Sequence, residues 1–254
     1  MIPIKTPAEI EIMKQGGKIL KTAMEKTLAG VKPGVLVADL DKLAEQEILK
    51  LGGEPGFKRV EGYKWTTCFS INEDVVHGIP TARVIENGDI VGIDMGVFYK
   101  GFNTDTSWTT IAASGKGQAA SQGSQKFLKV GEKALEEAIK QARPRNKISD
   151  ISKAINDTIV KAGYSPVRAL TGHGVGKILH EDPAIPCFFE PGQEKHSPEI
   201  KPGMVLAIEV IYNQGSADVV LANDGWTIKT KDGKISGLYE KTVAVTNNGH
   251  LVLT

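Results

Sequence analysis

From Gly88 to Ile111 the chain reads Gly-Asp-Ile-Val-Gly-Ile-Asp-Met-Gly-Val-Phe-Tyr-Lys-Gly-Phe-Asn-Thr-Asp-Thr-Ser-Trp-Thr-Thr-Ile. Two runs rich in apolar and β-branched residues flank Tyr99-Lys100-Gly101, the pattern of a β-hairpin. Each arm carries a carboxylate that strand propensity does not explain, Asp94 in the first and Asp105 in the second. With an even-length loop the two are directly or diagonally opposed, and opposed residues share a face, so both carboxylates point the same way. Like charges so placed repel. Either one aspartate keeps its proton or a cation holds the pair.

At 254 residues the chain can bury an ample core, and no low-complexity stretch or flexible linker divides it, so residues 1–254 are expected to form a single domain. Lysine and arginine number 31 against 30 aspartates and glutamates, so no net field recommends nucleic acid or a membrane as partner. No apolar run approaches bilayer length, and Met1-Ile2-Pro3-Ile4-Lys5 leads into a charged helix pattern rather than a signal-peptide core. Cys68 and Cys187 give no CxxC spacing, zinc ribbon or disulfide framework. A reducing, cytoplasmic compartment is expected, and nothing demands an oligomer.

Thr6-Pro7-Ala8-Glu9 is a capping box with proline at the first helical position, and Ile12, Ile19, Leu20, Ala23, Met24 and Leu28 then recur at helical intervals until Gly30 and Pro33-Gly34. A second helix is expected from about Asp39 to Leu51, ended by Gly52-Gly53. A strand over Trp65–Ile71 precedes a polar loop from Asn72 to Pro80 that holds His77, and the hairpin follows. Two more helices, Gln118–Gln141 and Ser149–Ala162, are separated by Arg143-Pro144-Arg145. Beyond Gly163 the pattern returns to strand and loop: a strand over Pro166–Leu170, the glycine-rich loop Gly172-His173-Gly174-Val175-Gly176, a long loop to Pro202, then strands over Met204–Tyr212, Trp226–Lys231, Leu238–Val245 and a short last one after Asn248-Gly249. Gly88 lies six residues before Asp94, and Gly203 six before Glu209, each at an apolar strand. Chance and a half-domain duplicated about a pseudo-twofold axis both account for that echo.

Glu209 sits within Val205-Leu206-Ala207-Ile208-Glu209-Val210-Ile211, where an unpaired ionised carboxylate would cost several kcal/mol. It needs a cationic partner, which a lysine or arginine could also supply. Glu240, in Leu238-Tyr239-Glu240-Lys241-Thr242-Val243, is a fourth carboxylate on an apolar strand, although alternation there also allows an outer, solvated face. Four independent salt bridges are the less economical account. His173 lies among glycines that let backbone approach it, and its loop lacks both the dinucleotide fingerprint and the Walker lysine-serine pair. Imidazole with four carboxylates is a ligand set for zinc, manganese, iron or cobalt. Two divalent ions would balance the net charge of about minus four. His77 and His180 lie in loops beside these elements, whereas His196 and His250 read as surface or packing residues.

Asn72-Glu73, His77-Gly78-Ile79-Pro80, Asp94, Thr104-Asp105-Thr106-Ser107, Gly172-His173-Gly174-Val175-Gly176, His180-Glu181, Glu209, Asp224-Gly225-Trp226 and Tyr239-Glu240-Lys241-Thr242 together resemble the methionine aminopeptidases, in the short type I form, over nearly the whole chain. The resemblance implies the pita-bread fold, an α+β structure of two pseudo-symmetric halves about a curved antiparallel sheet. It implies two divalent metal ions, with Asp94 on one, Asp105 and Glu240 bridging both, and His173 and Glu209 completing the second. It implies removal of N-terminal methionine from peptides and nascent chains with a small second residue, at the ribosome. His180 would hydrogen-bond the carbonyl oxygen, His77 would meet the scissile amide, and Glu209 would carry the proton to the leaving amine. The methionine pocket would comprise Phe57, Tyr63, Cys68, Leu179 and Trp226, each of which reads equally well as core. Thr171, Leu179 and Val210 depart from the usual cysteine, aromatic and proline, and mark a divergent member or a paralogue. The rival readings are an X-Pro aminopeptidase or dipeptidase of the same fold, for whose further N-terminal domain the sequence leaves no room, and a peptide-binding relative without activity.

Overall fold

The computed structural model describes residues 1–113 and 122–254. Thr6 and Glu9 exchange both capping-box bonds, and α1 runs Pro7–Ala29. There follow α2 (Val37–Lys50), β1 (Glu54–Pro55), β2 (Thr67–Ile71), β3 (Asp74–Val76), β4 (Ile90–Tyr99) and β5 (Phe102–Ile111). The second half contains α3 (Gln122–Gln141), α4 (Ile148–Lys161), β6 (Ser165–Pro166), β7 (Thr171–Gly174), β8 (Glu181–Pro186), β9 (Val205–Asn213), β10 (Val219–Leu221), β11 (Ile228–Thr230), β12 (Ser236–Thr246) and β13 (Gly249–Val252). The expected start of the third helix at 118–121 lies outside the described residues.

Four expectations are corrected. The polar loop after Asn72 contains β3, the strand expected to reach Leu170 stops at Pro166, the glycine-rich loop around His173 is strand β7, and β8 occupies the start of the long loop. Two of these share a cause, pairing with distant partners: β3 pairs with β11 and β7 with β9, so neither needs a local period to exist. By contrast, β8 is held by its neighbour β7, and β6 pairs with β9 only through Ser165 and Pro166.

The large sheet runs β1-β4-β5-β12-β9-β7-β8, with β2 also on β4, β6 on β9 and β13 on β12, and all these pairs are antiparallel. Leu20, Ala23, Leu40, Ala44 and Ile48 of α1 and α2 pack on Ile71, Val91, Ile93 and Met95. Phe127, Leu135, Ile151, Ile155 and Ile159 of α3 and α4 pack on Ile208, Val210, Tyr212 and Tyr239. Each buried leucine, isoleucine, valine, methionine or phenylalanine among them contributes about 1.5–3 kcal/mol, more than helix propensity supplies, so these apolar faces hold the helix pairs in place. Within α1, Gly17 is dictated by proximity: a Cβ there would collide with the Leu253 carbonyl.

The Gly88/Gly203 echo is structural. Gly88 N–H donates to Ala112 O and Ala112 N–H to Asp89 O, while Gly203 N–H donates to Val245 O and Val245 N–H to Met204 O. The connection between the two helices of each half repeats as well. Val37 N–H donates to Arg83 O and Ile85 N–H to Val35 O, and likewise Ile148 N–H donates to Pro198 O and Ile200 N–H to Asn146 O. Gly34 (φ +88°) turns the first connection, and Arg145 (φ +76°) takes its place in the second. The matching bonds favour duplication over chance. They also bring Asp94 and Glu209, at matching positions, onto one sheet.

Candidate metal centre and cavity

Hairpin β4–β5 closes through Lys100 (φ +46°) and Gly101 (φ +91°), a two-residue turn of the kind that matches strand twist. The register pairs Asp94 with Ser107 and Gly96 with Asp105, so the two aspartates are diagonal neighbours on one face. Ser107 in turn pairs with Glu240, and Glu240 with Glu209. Asp94, Ser107, Glu240 and Glu209 therefore form one row across four strands. The adjacent row brings Asp105 and His173 to the same face, because strand residues two apart point alike. Thr242 links to Asp105 through its hydroxyl, pairs with Ala207, and Ala207 pairs with His173. Ser107, Thr242 and Ala207 are small, which leaves the larger ligating side chains standing clear of the sheet.

The glycines around His173 serve its strand more than its ring. A Cβ on Gly172 would lie 2.6 Å from the Ala207 carbonyl, and one on Gly174 would collide with the Asp182 carbonyl, so both let neighbouring strands close on β7. The His173 Nδ1 lies 2.8 Å from the Gly174 carbonyl, which can only accept, so Nδ1 carries the proton. The Nε2 lone pair then faces Glu209 Oε1 at 3.5 Å and Asp105 Oδ2 at 4.0 Å. Burial holds the imidazole neutral, with its pKa lowered to about 4, helped by the nearby His180 ring.

Burial pushes Asp105 up to about 7, and it raises Asp94, Glu209 and Glu240 well above the usual carboxylate range, with neighbouring carboxylates adding to each of those three shifts. Among the described residues no lysine or arginine forms an ion pair with any of the four. This rules out the salt-bridge account of Glu209, whose nearest basic group is the neutral imidazole of His173 at 3.5 Å. Glu240 is 2% exposed, so the solvated-face reading is also excluded. Asp94 Oδ1 and Glu240 Oε1 are buried without a hydrogen-bond partner. Single donor atoms of Asp105, His173 and Glu240 lie within 4.8 Å of one another. Lone pairs converging from acceptor-only groups, with buried oxygens left unpaired, fit a divalent cation and fit little else.

These five residues form one end of a cavity of about 310 Å³. The other end is apolar: Phe57, Tyr63 and Cys68 form a buried cluster on which Leu179 and Trp226 pack. Tyr63 meets Phe57 and Trp226 edge to face at 6.4 and 5.1 Å, and its hydroxyl donates to the Thr67 carbonyl. Gly96 is required beneath this wall, since a Cβ would come within 2.9 Å of the Phe57 ring. Burial raises the Cys68 thiol well above its ordinary pKa, so it stays a neutral apolar surface. His77 and His180 line the rim. Both rings reach solvent, yet protein on their inner sides lowers their pKa, and His180 lowers that of His77 further. The His180 ring stands edge to face on His173 at 4.5 Å. His196 and His250 are exposed and away from the cavity lining. Val60, Leu170 and Ile211 also line the cavity, and no sequence signal separates them from ordinary core residues. Thr171 lines it as well, and Val210 is fully buried in the core behind β9.

Comparison with known proteins gives a consistent placement. The profile of metallopeptidase family M24 matches residues 11–247. Methionine aminopeptidase 1 of Bacillus subtilis is 41% identical over 254 residues, covering 100% of this chain and 99% of its own. The crystal structure of methionine aminopeptidase from Thermotoga maritima superposes with a TM-score of 0.94 at 38% identity, covering 100% of this chain and 99% of that one. The prolidase of Pyrococcus furiosus, at 23% identity and a TM-score of 0.78, covers 99% of this chain and 65% of its own, and shares the pita-bread fold alone. The chain belongs to metallopeptidase family M24, among its methionine aminopeptidases.

Proposed function

We propose that this chain, as one catalytic domain spanning residues 1–254, removes N-terminal methionine from peptides and nascent chains with a small second residue. The observation that carries the reading is a single cavity with carboxylates and a neutral imidazole at one end and an apolar aromatic pocket at the other. Asp94, Asp105, His173, Glu209 and Glu240 would hold two divalent ions, drawn from cobalt, manganese, iron or zinc. Bound there, the ions would polarise a carbonyl and bring the pKa of water toward neutrality.

The protein's own groups do the rest. Phe57, Tyr63, Cys68, Leu179 and Trp226 enclose the methionine side chain, whose thioether suits aromatic edges and a thiol. The scissile carbonyl then falls between the ligand rows and the rim. Neutral His180 donates a hydrogen bond to the carbonyl oxygen as negative charge develops on it. His77 meets the scissile amide nitrogen. Glu209 takes a proton from the water that adds to the carbonyl carbon and passes it to the amine nitrogen as the C–N bond breaks. All of these groups come from one chain, which supports a monomer as the working unit, and the open rim supports encounter with chain ends at the ribosome. A reducing cytoplasm suits the two free cysteines.

The manganese-loaded protein is expected to release methionine from Met-Ala-Ser and to leave Ala-Pro peptides intact. Hydrolysis of the Ala-Pro substrate alone would shift the assignment to an X-Pro peptidase. Binding of Met-Ala-Ser without cleavage would shift it to a peptide-binding relative.

A further inference from the structure

One ion pair outside the cavity is set apart by its burial. The Lys5 and Glu181 side chains are only 5% and 6% exposed and meet at 2.5 Å, whereas the other lysine and arginine pairs among the described residues keep at least one partner roughly a third or more exposed. Taking two charges out of water costs several kcal/mol each, and an apolar pair of similar size usually stabilises a fold as well or better. Stability alone does not account for the pair, so the question is what it holds.

Lys5 lies between two structural features of the site. Its N–H donates to the Gly203 carbonyl at 2.7 Å, at the turn that launches β9 and Glu209, and its ammonium reaches Glu181, the first residue of β8. Two glycines make room for it. A Cβ on Gly176 would lie 2.5 Å from Lys5 Cε and 2.7 Å from Glu181 Oε1, and one on Gly203 would lie 2.8 Å from the Lys5 carbonyl. Glu181 Oε1 also accepts the Ile178 N–H at 3.4 Å. From the other side, the Asn103 backbone N–H donates to the Gly176 carbonyl at 2.7 Å, and its side-chain amide donates to the Gly176 and Lys177 carbonyls at 3.0 and 3.2 Å. The bend at 176–180 is thus pinned by Asn103 and by the ion pair.

That bend delivers Leu179 and His180 to the cavity. Among the described residues the His180 ring makes no hydrogen bond and rests edge-on against His173, so its aim is set by its backbone. Asn103 holds that backbone at residues 176 and 177, and next to His180 it is Glu181 that holds it. We propose that Lys5 and Glu181 are positioning residues: their buried ion pair fixes the 176–180 bend so that the His180 ring is directed at the substrate carbonyl. This rests on the role proposed above for His180.

The test is a cycle on the manganese-loaded enzyme with Met-Ala-Ser as substrate. The paired replacement Lys5→Met/Glu181→Met is placed in the parent and in a His180→Ala background. A misplacement near 1 Å costs on the order of 10²-fold, so kcat of the parent is expected to fall about 10- to 100-fold. In the His180→Ala background the same replacement is expected to change kcat by less than about twofold, because no ring remains to misplace. Manganese affinity and melting temperature stay near the parent values in both. Equal losses in the two backgrounds, or no loss in the parent, overturn the positioning role alone. A parent that does not release methionine, or a His180→Ala variant as fast as the parent, overturns the role of His180 and the positioning with it. Should the paired replacement not fold, Glu181→Gln takes its place, with a smaller loss that is again confined to chains retaining His180.

Discussion

Replacing His173 with alanine is expected to lower kcat on a methionyl peptide on the order of 10³-fold or more, while the fold survives. Among the described residues His173 is the histidine whose ring nitrogen comes within 4.0 Å of these carboxylates, with Nε2 at 3.5 Å from Glu209 and 4.0 Å from Asp105. Its side chain is 10% exposed and faces the cavity, so truncation removes a ligand more than a piece of core. Glu209→Ala should behave alike, for it removes a ligand together with the group that moves the proton. Steady-state rates with manganese, alongside circular dichroism, check both variants. Parent-like rates from either would refute the ligand assignment.

The second large effect concerns stability without metal. Burial raises the native pKa of Asp105 to about 7, and those of Asp94, Glu209 and Glu240 well above the usual range, so across this window the native state binds more protons than the unfolded chain. Stability then falls as pH rises. His173 works in the opposite sense: lowered to about 4, it contributes stability that grows as pH climbs toward the ordinary histidine value near 6.5. Above about pH 6.5 that compensation is complete, and the carboxylates act unopposed. The chelator-treated protein is therefore expected to lose stability as pH rises from about 6.5 to about 8, and a divalent ion should remove the loss by supplying the missing positive charge. Urea unfolding at the two pH values, with and without manganese, measures it. A flat profile in chelator would mean that the four carboxylates do not share one electrostatic site.

What the sequence disclosed follows from how local the signal was. Asp94, Asp105, Glu209 and Glu240 stood out because charge on an apolar strand conflicts with burial, and the hairpin register that aligns the first two follows from its two-residue turn. The partnership of Glu240 with Glu209 depended on β12 pairing with β9, which no local pattern encodes. For the same reason β3 and β7 look like loops in the sequence. The aromatic pocket gave no signal of its own, since Phe57, Tyr63 and Trp226 would look the same in a core, and it came only from the resemblance. Nothing in the local sequence marks Lys5, just before a helix cap, or Glu181, just before Asp182-Pro183, as a buried charge. Their burial arises from the meeting of residues 176 sequence positions apart.

On the reading proposed above, two adjacent rows of one sheet form a centre for two divalent ions. Calorimetric titration of manganese into the chelator-stripped chain tests it most directly. Saturation at two ions per chain is expected, with strongly weakened binding in the combined variant Asp105→Asn/His173→Ala/Glu240→Gln. Absence of saturable binding, or binding unchanged in that variant, would contradict it.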